Sequence, residues 1–224
     1  KIIFNFQFSI FNKKQSKQKL IIVLLNLFRD QLDRYGEVDS IATKWEKTLV
    51  TLPSEATLIL NADDPQVAYL GKNKKFNVIY FGINKPDKFL SSVEHATDST
   101  YCRNCGKKLQ YEGIYFSHIG IWYCPSCGNK RPKVDSEIVS SNLAGLYNEY
   151  NTLAAVTVAK QLGSTQADIE TALKKITPAF GRQEEIVVHK KKVKIFLSKN
   201  PAGFNASLRA VLESGARHIL FVLN

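Results

Sequence analysis

The chain contains no methionine and opens on Lys1. That absence predicts a fragment or a processed piece rather than an intact reading frame. Long apolar runs are also missing. The longest covers residues 20–25, far short of the roughly 20 residues that cross a bilayer, which excludes a transmembrane helix. The basic, Phe-rich start lacks a small-residue cleavage site, which excludes a signal peptide. No Gly-x-x-x-x-Gly-Lys-Ser/Thr sequence occurs anywhere, so the chain has no phosphate loop of that kind. Cysteine is absent outside two closely spaced pairs. What remains is globular: 224 residues, 44% hydrophobic and 23% charged, enough for one or two domains with a sizeable core.

A formal net charge of +11 suggests a binder of nucleic acid or of an anionic surface. Its distribution argues otherwise. Residues 1–29 hold 6 Lys/Arg and no acid, residues 100–135 hold 6 and 2 acids, and the remaining chain holds 19 and 18. The basic character therefore belongs to two local segments. Residues 1–19 consist only of Lys, Ile, Phe, Asn, Gln and Ser. They read either as a basic arm for an anionic partner or as an atypical, non-native leader. The leader is favoured, because charge runs are common and rarely specific.

Residues 20–26 are an apolar run of the kind that makes a buried strand. Residues 27–35 are polar and acidic, a loop or short helix. Ile41, Trp45 and Leu49 recur every four residues, which predicts a helix over 39–49, broken by Pro53. A strand over 56–60 runs into Asn61-Ala62-Asp63-Asp64-Pro65, where Pro65 suits a first helical turn and Asp63 or Asp64 its N-cap. A strand over 77–81 ends at Gly82. This alternation predicts an α/β sheet. Beyond the cysteines, Leu143, Leu146, Tyr150, Leu153, Val158 and Leu162 fall largely on one face of a helix stopped by Gly163. Residues 164–176 predict a second helix capped by Ser164 or Thr165, and residues 178–182 a turn or hinge. Strands over 193–197 and 218–223 flank a helix over 204–214, one βαβ unit.

The cysteines form Cys102-x2-Cys105 and Cys124-x2-Cys127, with 18 residues between. Both thiolates of one such turn reach a single ion, and two turns complete a tetrahedral four-sulfur site. Gly106 and Gly128 supply the positive φ such turns need. Tyr111, Ile114, Tyr115, Phe116, Ile121 and Trp122 provide the hairpin of a zinc ribbon. Two disulfides would need an oxidising compartment, which no other feature suggests, and a thioredoxin-like redox site would use one pair, not two. Four thiolates close the coordination sphere, so Zn2+ here is structural. His95 and His118 are then surface or packing residues. A ribbon of net charge +4 with aromatics also fits a nucleic-acid-binding protein, the alternative reading; ribbons equally staple loops or offer a docking surface.

Three polar stretches point elsewhere. Asn26-Leu27-Phe28-Arg29-Asp30-Gln31-Leu32-Asp33-Arg34-Tyr35-Gly36 and Asn61-Ala62-Asp63-Asp64-Pro65 follow strands. Gly145-Leu146-Tyr147-Asn148-Glu149-Tyr150-Asn151 opens a helix. Ligands of α/β sheets bind outside the C-terminal strand ends. Asn148 and Asn151 share one helix face, and a carboxamide matches the N6/N7 edge of adenine. Singly, each stretch reads as capping and turn chemistry. In this order, with Phe180-Gly181-Arg182-Gln183-Glu184 after the helix and Asn200-Pro201-Ala202-Gly203-Phe204-Asn205 beyond, they resemble the Mur ligase family over about residues 22–224.

The resemblance implies an α/β fold: a partial Mur ligase central domain over 20–185, an inserted four-cysteine zinc ribbon over 98–134, and the start of a Rossmann-like C-terminal domain over 186–224. With the ribbon and the Asp-Gln-Leu-Asp-Arg-Tyr-Gly wording, it implies the branch that amidates lipid II in peptidoglycan biosynthesis. There ATP, with Mg2+, activates the α-carboxylate of D-glutamate as an acyl phosphate, and a GatD-like glutamine amidotransferase subunit supplies ammonia. Such a protein is cytoplasmic and acts at the inner face of the membrane; nucleic acid is not the partner it implies. By motif, Asn148 and Asn151 contact adenine and Arg182 reaches the phosphates. Asp30 and Asp33 are the candidate catalytic residues, and Asn26, Asn61 and Asp64 lie on the substrate and metal side. Other members have His where Gln31 stands, which leaves metal ligation there open. The family's phosphate loop lies upstream, where residues 1–19 now stand, so the 224-residue polypeptide is expected to be inactive. Folate polyglutamylation shares the ligase fold, but the cysteine ribbon argues against it.

Overall fold

The structure, a computed structural model, describes residues 20–29, 36–72, 75–92, 97–135, 143–177 and 182–222. Its centre is a parallel sheet of β1 (Ile21–Leu24), β2 (Thr57–Asn61) and β3 (Asn77–Phe81), in that spatial order. Ile21 lies opposite Thr57, and Thr57 opposite Asn77. β2 is buried along its whole length, as a central parallel strand must be. Alternate side chains leave a strand on opposite faces. Ile22, Leu24, Leu58 and Leu60 therefore join a layer made by α1 (Val38–Leu49) and α2 (Pro65–Leu70). Ile59, with the partly buried Ile21 and Val23, joins the opposite layer. That layer is built from α3 (Leu146–Gln161) and a hairpin, β4 (Gln110–Phe116) and β5 (Ile119–Tyr123).

The expected stripe of Ile41, Trp45 and Leu49 is the buried face of α1, completed by Val38 and Ala42. At α2, Asp64 is the N-cap: its Oδ1 accepts from the Gln66 and Val67 N–H groups at 2.9 and 3.1 Å, and Pro65 fills the first turn. α4 (Gln166–Lys175) starts in a capping box made by Thr165 and Asp168. Most of the stripe expected along α3 is one packed face: Leu146, Tyr150, Leu153 and Val158 lie on the sheet and hairpin layer, while Leu162 is exposed. The helix also has a second apolar face that the stripe did not include, where Val156 packs with Ile169 and Leu173 of α4.

The hairpin β4–β5 stands between the two cysteine pairs and packs Trp122, Leu109, Cys102 and Cys124 against Ala68 of α2. Beyond it, the Asp135 N–H donates to the Tyr80 carbonyl at 2.8 Å, and the Asp135 carboxylate accepts from the Tyr80 N–H at 3.0 Å.

Further along, β6 (Arg182–Val188) pairs antiparallel with β7 (Lys191–Phe196). This strand was not expected, and it runs through the 185/186 position. α5 (Pro201–Glu213) begins at Asn200, whose side chain accepts from the Gly203 N–H at 2.7 Å. The expected strand over 218–223 is not formed across its described residues, where Leu220 is 87% exposed. The βαβ unit is therefore absent there. A strand is held by a neighbour's hydrogen bonds, and β7 pairs with β6 instead. Among the described residues, no helix is long and apolar enough to cross a membrane.

Candidate functional site

The chain leaves β1 and β2 on the same side of the sheet, and the two exits are tied together. The Leu27 N–H donates to Asp64 Oδ2 at 2.7 Å, which sets Asn26, half-buried, beside the loop of residues 61–65. Asn61 is fully buried. Its Oδ1 accepts from the Asp63 N–H at 2.9 Å, and its Nδ2 has no hydrogen-bond partner among the described residues. Both Asp64 oxygens are engaged: beside the α2 cap and Leu27, Oδ2 lies 3.2 Å from His118 Nε2. His118 is a packing residue, fully buried with its ring 4.9 Å from that of Phe28. Asp30, Asp33, Gln31 and His95 lie outside the described residues.

Asp63 is as fully enclosed as Asp64. Its Oδ1 accepts from Arg131 Nε at 2.5 Å, and its Oδ2 accepts from the Tyr150 hydroxyl at 2.6 Å and the Ile83 N–H at 2.9 Å. Burial pushes its carboxyl above the ordinary 3.8, while Arg131, Tyr150 and Ile83 pull it back. The Tyr150 hydroxyl is raised well above 10, first by burial and then by Asp63. Gly82 makes room for the pair: a Cβ there would lie 2.5 Å from Asp63 Oδ1 and 2.9 Å from Arg131 Nη2.

The second cluster stands at the start of α3. Gly145 takes φ +89°, which favours glycine. The Asn148 Nδ2 donates to the Ala144 carbonyl at 2.7 Å, and the Gln183 Nε2 donates to the same oxygen at 2.6 Å and to the Tyr147 hydroxyl at 2.5 Å. The helix-start motif and the strand opened by Arg182 therefore meet. Asn148 is half-buried, and Asn151, three residues on, is exposed.

The four cysteines converge. Cys102 and Cys127 sulfurs are 3.7 Å apart, Cys105 and Cys124 are 3.5 Å apart, and all four lie within 4.8 Å of one another. The two turns repeat each other. Gly106 and Gly128 take φ +73° and +70°, and their N–H groups donate to the Cys102 and Cys124 carbonyls. A tetrahedral zinc site with bonds of about 2.3 Å separates its sulfurs by about 3.8 Å, so the cluster fits that ion. The Asn104 side chain and the Asn129 backbone pull the Cys127 thiol down to about 6.

Sequence reasoning missed the residues that join these parts. Arg131 and Arg103 read only as ribbon charge, yet both turn inward. The Arg103 guanidinium donates to the Asp39 carbonyl, Gln66, Thr43 and Glu46, and lies over the Tyr69 ring. Asp98 accepts from the Arg29 N–H at 2.9 Å and pairs with its guanidinium. These partners are 57 to 69 residues apart for Arg29, Arg131 and the Arg103–Glu46 pair, and no local pattern announces them.

The Mur ligase middle domain matches residues 13–159 of the chain. The lipid II isoglutaminyl synthase (glutamine-hydrolyzing) subunit MurT of Staphylococcus aureus (strain COL) is 36% identical over 206 residues, covering 84% of this chain and 46% of that protein. The subunit of the same name from Streptococcus pneumoniae (strain R6) is 29% identical, covering 87% and 47%. A pseudomurein peptide ligase type C from Methanothermus fervidus superposes with a TM-score of 0.67 at 29% identity, over 85% of this chain and 40% of that one. The chain thus spans about half the length of the curated relatives it matches. By its middle domain and by these relatives, the chain belongs to the Mur ligase family and is a MurT-like member of it.

Proposed function

We propose that this chain is the central part of a ligase subunit that amidates lipid II in peptidoglycan biosynthesis. The likeness to two MurT subunits carries this reading. The meeting of the strand-end motifs, and of the helix start with β6, supports it. The D-glutamate α-carboxylate attacks the γ-phosphorus of ATP, ADP leaves, and an acyl phosphate forms. Ammonia from a GatD-like glutaminase subunit then attacks the acyl carbon, phosphate leaves, and a proton is released from nitrogen. A carboxylate is a poor electrophile, and phosphorylation gives it a leaving group. Mg2+ supplies charge neutralisation on the phosphates when bound.

In this reading, Asn148 and Asn151 address adenine and Arg182 the phosphates. Asn26, Asn61 and Asp64 shape the substrate and metal side, with Asp64 acting through its hydrogen bonds, and Asp30 and Asp33 are the catalytic acids. Cys102, Cys105, Cys124 and Cys127 hold a structural Zn2+ that closes the ribbon over 98–134. Residues 20–185 form the central domain, and residues 186–224 open the C-terminal one. The protein works in the cytoplasm at the inner membrane face.

The test is to supply the full-length protein and the glutaminase with lipid II, ATP, Mg2+ and glutamine, and to read amidated lipid II by mass spectrometry. Amidation that needs both subunits and ATP supports the reading. No product, while the Staphylococcus aureus pair works in parallel, overturns it. The 224-residue polypeptide alone, lacking a phosphate loop, is expected to give no product with the glutaminase.

A further inference from the structure

The cysteine module is bonded to the body and to the site by side chains that are not metal ligands. At its entry, Asp98 holds Arg29, three residues past Asn26. In its first turn, Arg103 bridges α1 and α2. At its exit, Arg131 holds Asp63 and donates to the Ile83 carbonyl at 3.0 Å. Between these points the hairpin reads the backbone of the 61–65 loop: Trp122 Nε1 donates to the Ala62 carbonyl at 2.9 Å and the Gly120 N–H to the Asp63 carbonyl at 3.0 Å. A module of about 40 residues cannot stabilise its own fold by apolar burial and leans on a metal. Its buried apolar side chains are shared with the body: Leu109 and Trp122, with the two buried cysteines, pack on Ala68, and Tyr115, Phe116 and Ile119 pack into the layer against the sheet.

We propose that the module is a clamp: metal in the four-cysteine cluster fixes the conformation of residues 61–65 through Arg131, which is a positioning residue for that loop. The loop offers no ligand to the cluster, yet metal affinity and loop order are linked, because each is favoured by the same folded module. The inference rests on the zinc reading and deepens the ligase reading. It assigns the ribbon a role in the chemistry of the loop it packs on, which carries the substrate and metal side in that reading, while adenine is addressed from α3.

Hydrogen exchange of the full-length protein tests it, with zinc content measured on the same samples. Arg131→Gln is expected to retain one zinc per chain and to speed exchange over residues 61–67 about tenfold, with α4 unchanged. Stripping zinc from the unsubstituted protein with a chelator under reducing conditions is expected to do the same, and to add little to Arg131→Gln. Arg103→Gln should loosen α1 and α2 and leave zinc in place. Where the pair amidates, Arg131→Gln lowers kcat about tenfold with KM for ATP within about twofold, and Arg131→Lys restores part of kcat.

Unmoved loop exchange in zinc-loaded Arg131→Gln overturns the clamp alone. So does stripping that speeds α4 as much as the loop, since that is global unfolding. A protein that purifies from reductant without metal overturns the zinc reading with it. An absence of amidation overturns the ligase reading and leaves the exchange result to decide the clamp.

Discussion

Two regions of the molecule carry aliphatic residues in strand-like runs and treat them differently. In the parallel sheet, Leu58, Ile59 and Leu60 are fully buried between two layers. In the β6–β7 hairpin and the segment after α5, Val187 is 70% exposed and Leu220 87%. β-propensity is common to both; among the described residues, only the first lies between two covering layers. Strand stability is a property of what packs on the strand, not of the strand itself.

Mutation can break or sharpen that contrast. The largest effect is expected from Leu60→Ala, which empties a site closed on all sides and should cost about 2–5 kcal/mol in chemical denaturation. Leu212→Ala, on the exposed face of α5, should change stability by less than about 0.5 kcal/mol. Equal losses at both positions would abolish the distinction. Next come the helix caps. Asp64→Ala removes the acceptor of three N–H groups and leaves the Leu27 N–H buried without a partner, for about 2–4 kcal/mol by the same measurement. Asn200→Ala removes one bond at a half-buried cap and should cost about 1 kcal/mol. Gly82→Ala forces a methyl against Asp63 and Arg131 and is expected to cost about 1–3 kcal/mol, with Arg131→Gln relieving part of it in the double variant.

The smallest effect concerns Asp168. Its hydrogen bonds with the Thr165 hydroxyl and N–H hold its carboxyl below the ordinary 3.8. Its contribution is therefore present above that unfolded value and lost as pH falls through the folded one. Asp168→Asn should weaken the protein slightly at pH 6, and the difference from the parent in unfolding midpoint should shrink as pH falls below 3.8.

Much of the body was legible because its signals are local. Ile41, Trp45 and Leu49 are one helix face by spacing alone, Asp63-Asp64-Pro65 announces a cap by residue type, with Asp64 the one that takes it, and the cysteine turns declare themselves by Cys-x2-Cys followed by Gly. The strand expected over 77–81 is the strand observed. What stayed hidden depends on partners far along the chain. Arg131 is chemically an exposed ribbon cation until Asp63, 68 residues earlier, is placed beside it. His118 was legible only as a surface or packing residue, and not as the buried neighbour of Asp64. β6 was hidden differently: Arg182-Gln183-Glu184-Glu185 is polar, and only pairing with β7 makes it a strand. The 218–223 stretch had the opposite problem, with strand-like residues and no neighbour across its described part.

The two bonds between Asp135 and Tyr80 have a consequence for how these molecules behave in a crowd. β3 lies at the margin of the described sheet, so its outward N–H and C=O groups would offer a template to a strand from another copy. At Tyr80 both groups are already taken by one residue of the same chain, and that residue brings a negative charge. Self-association by strand addition would have to displace an acid from the place where the incoming backbone must pair. Asp135→Ala should therefore raise light scattering at high protein concentration more than it lowers the unfolding midpoint.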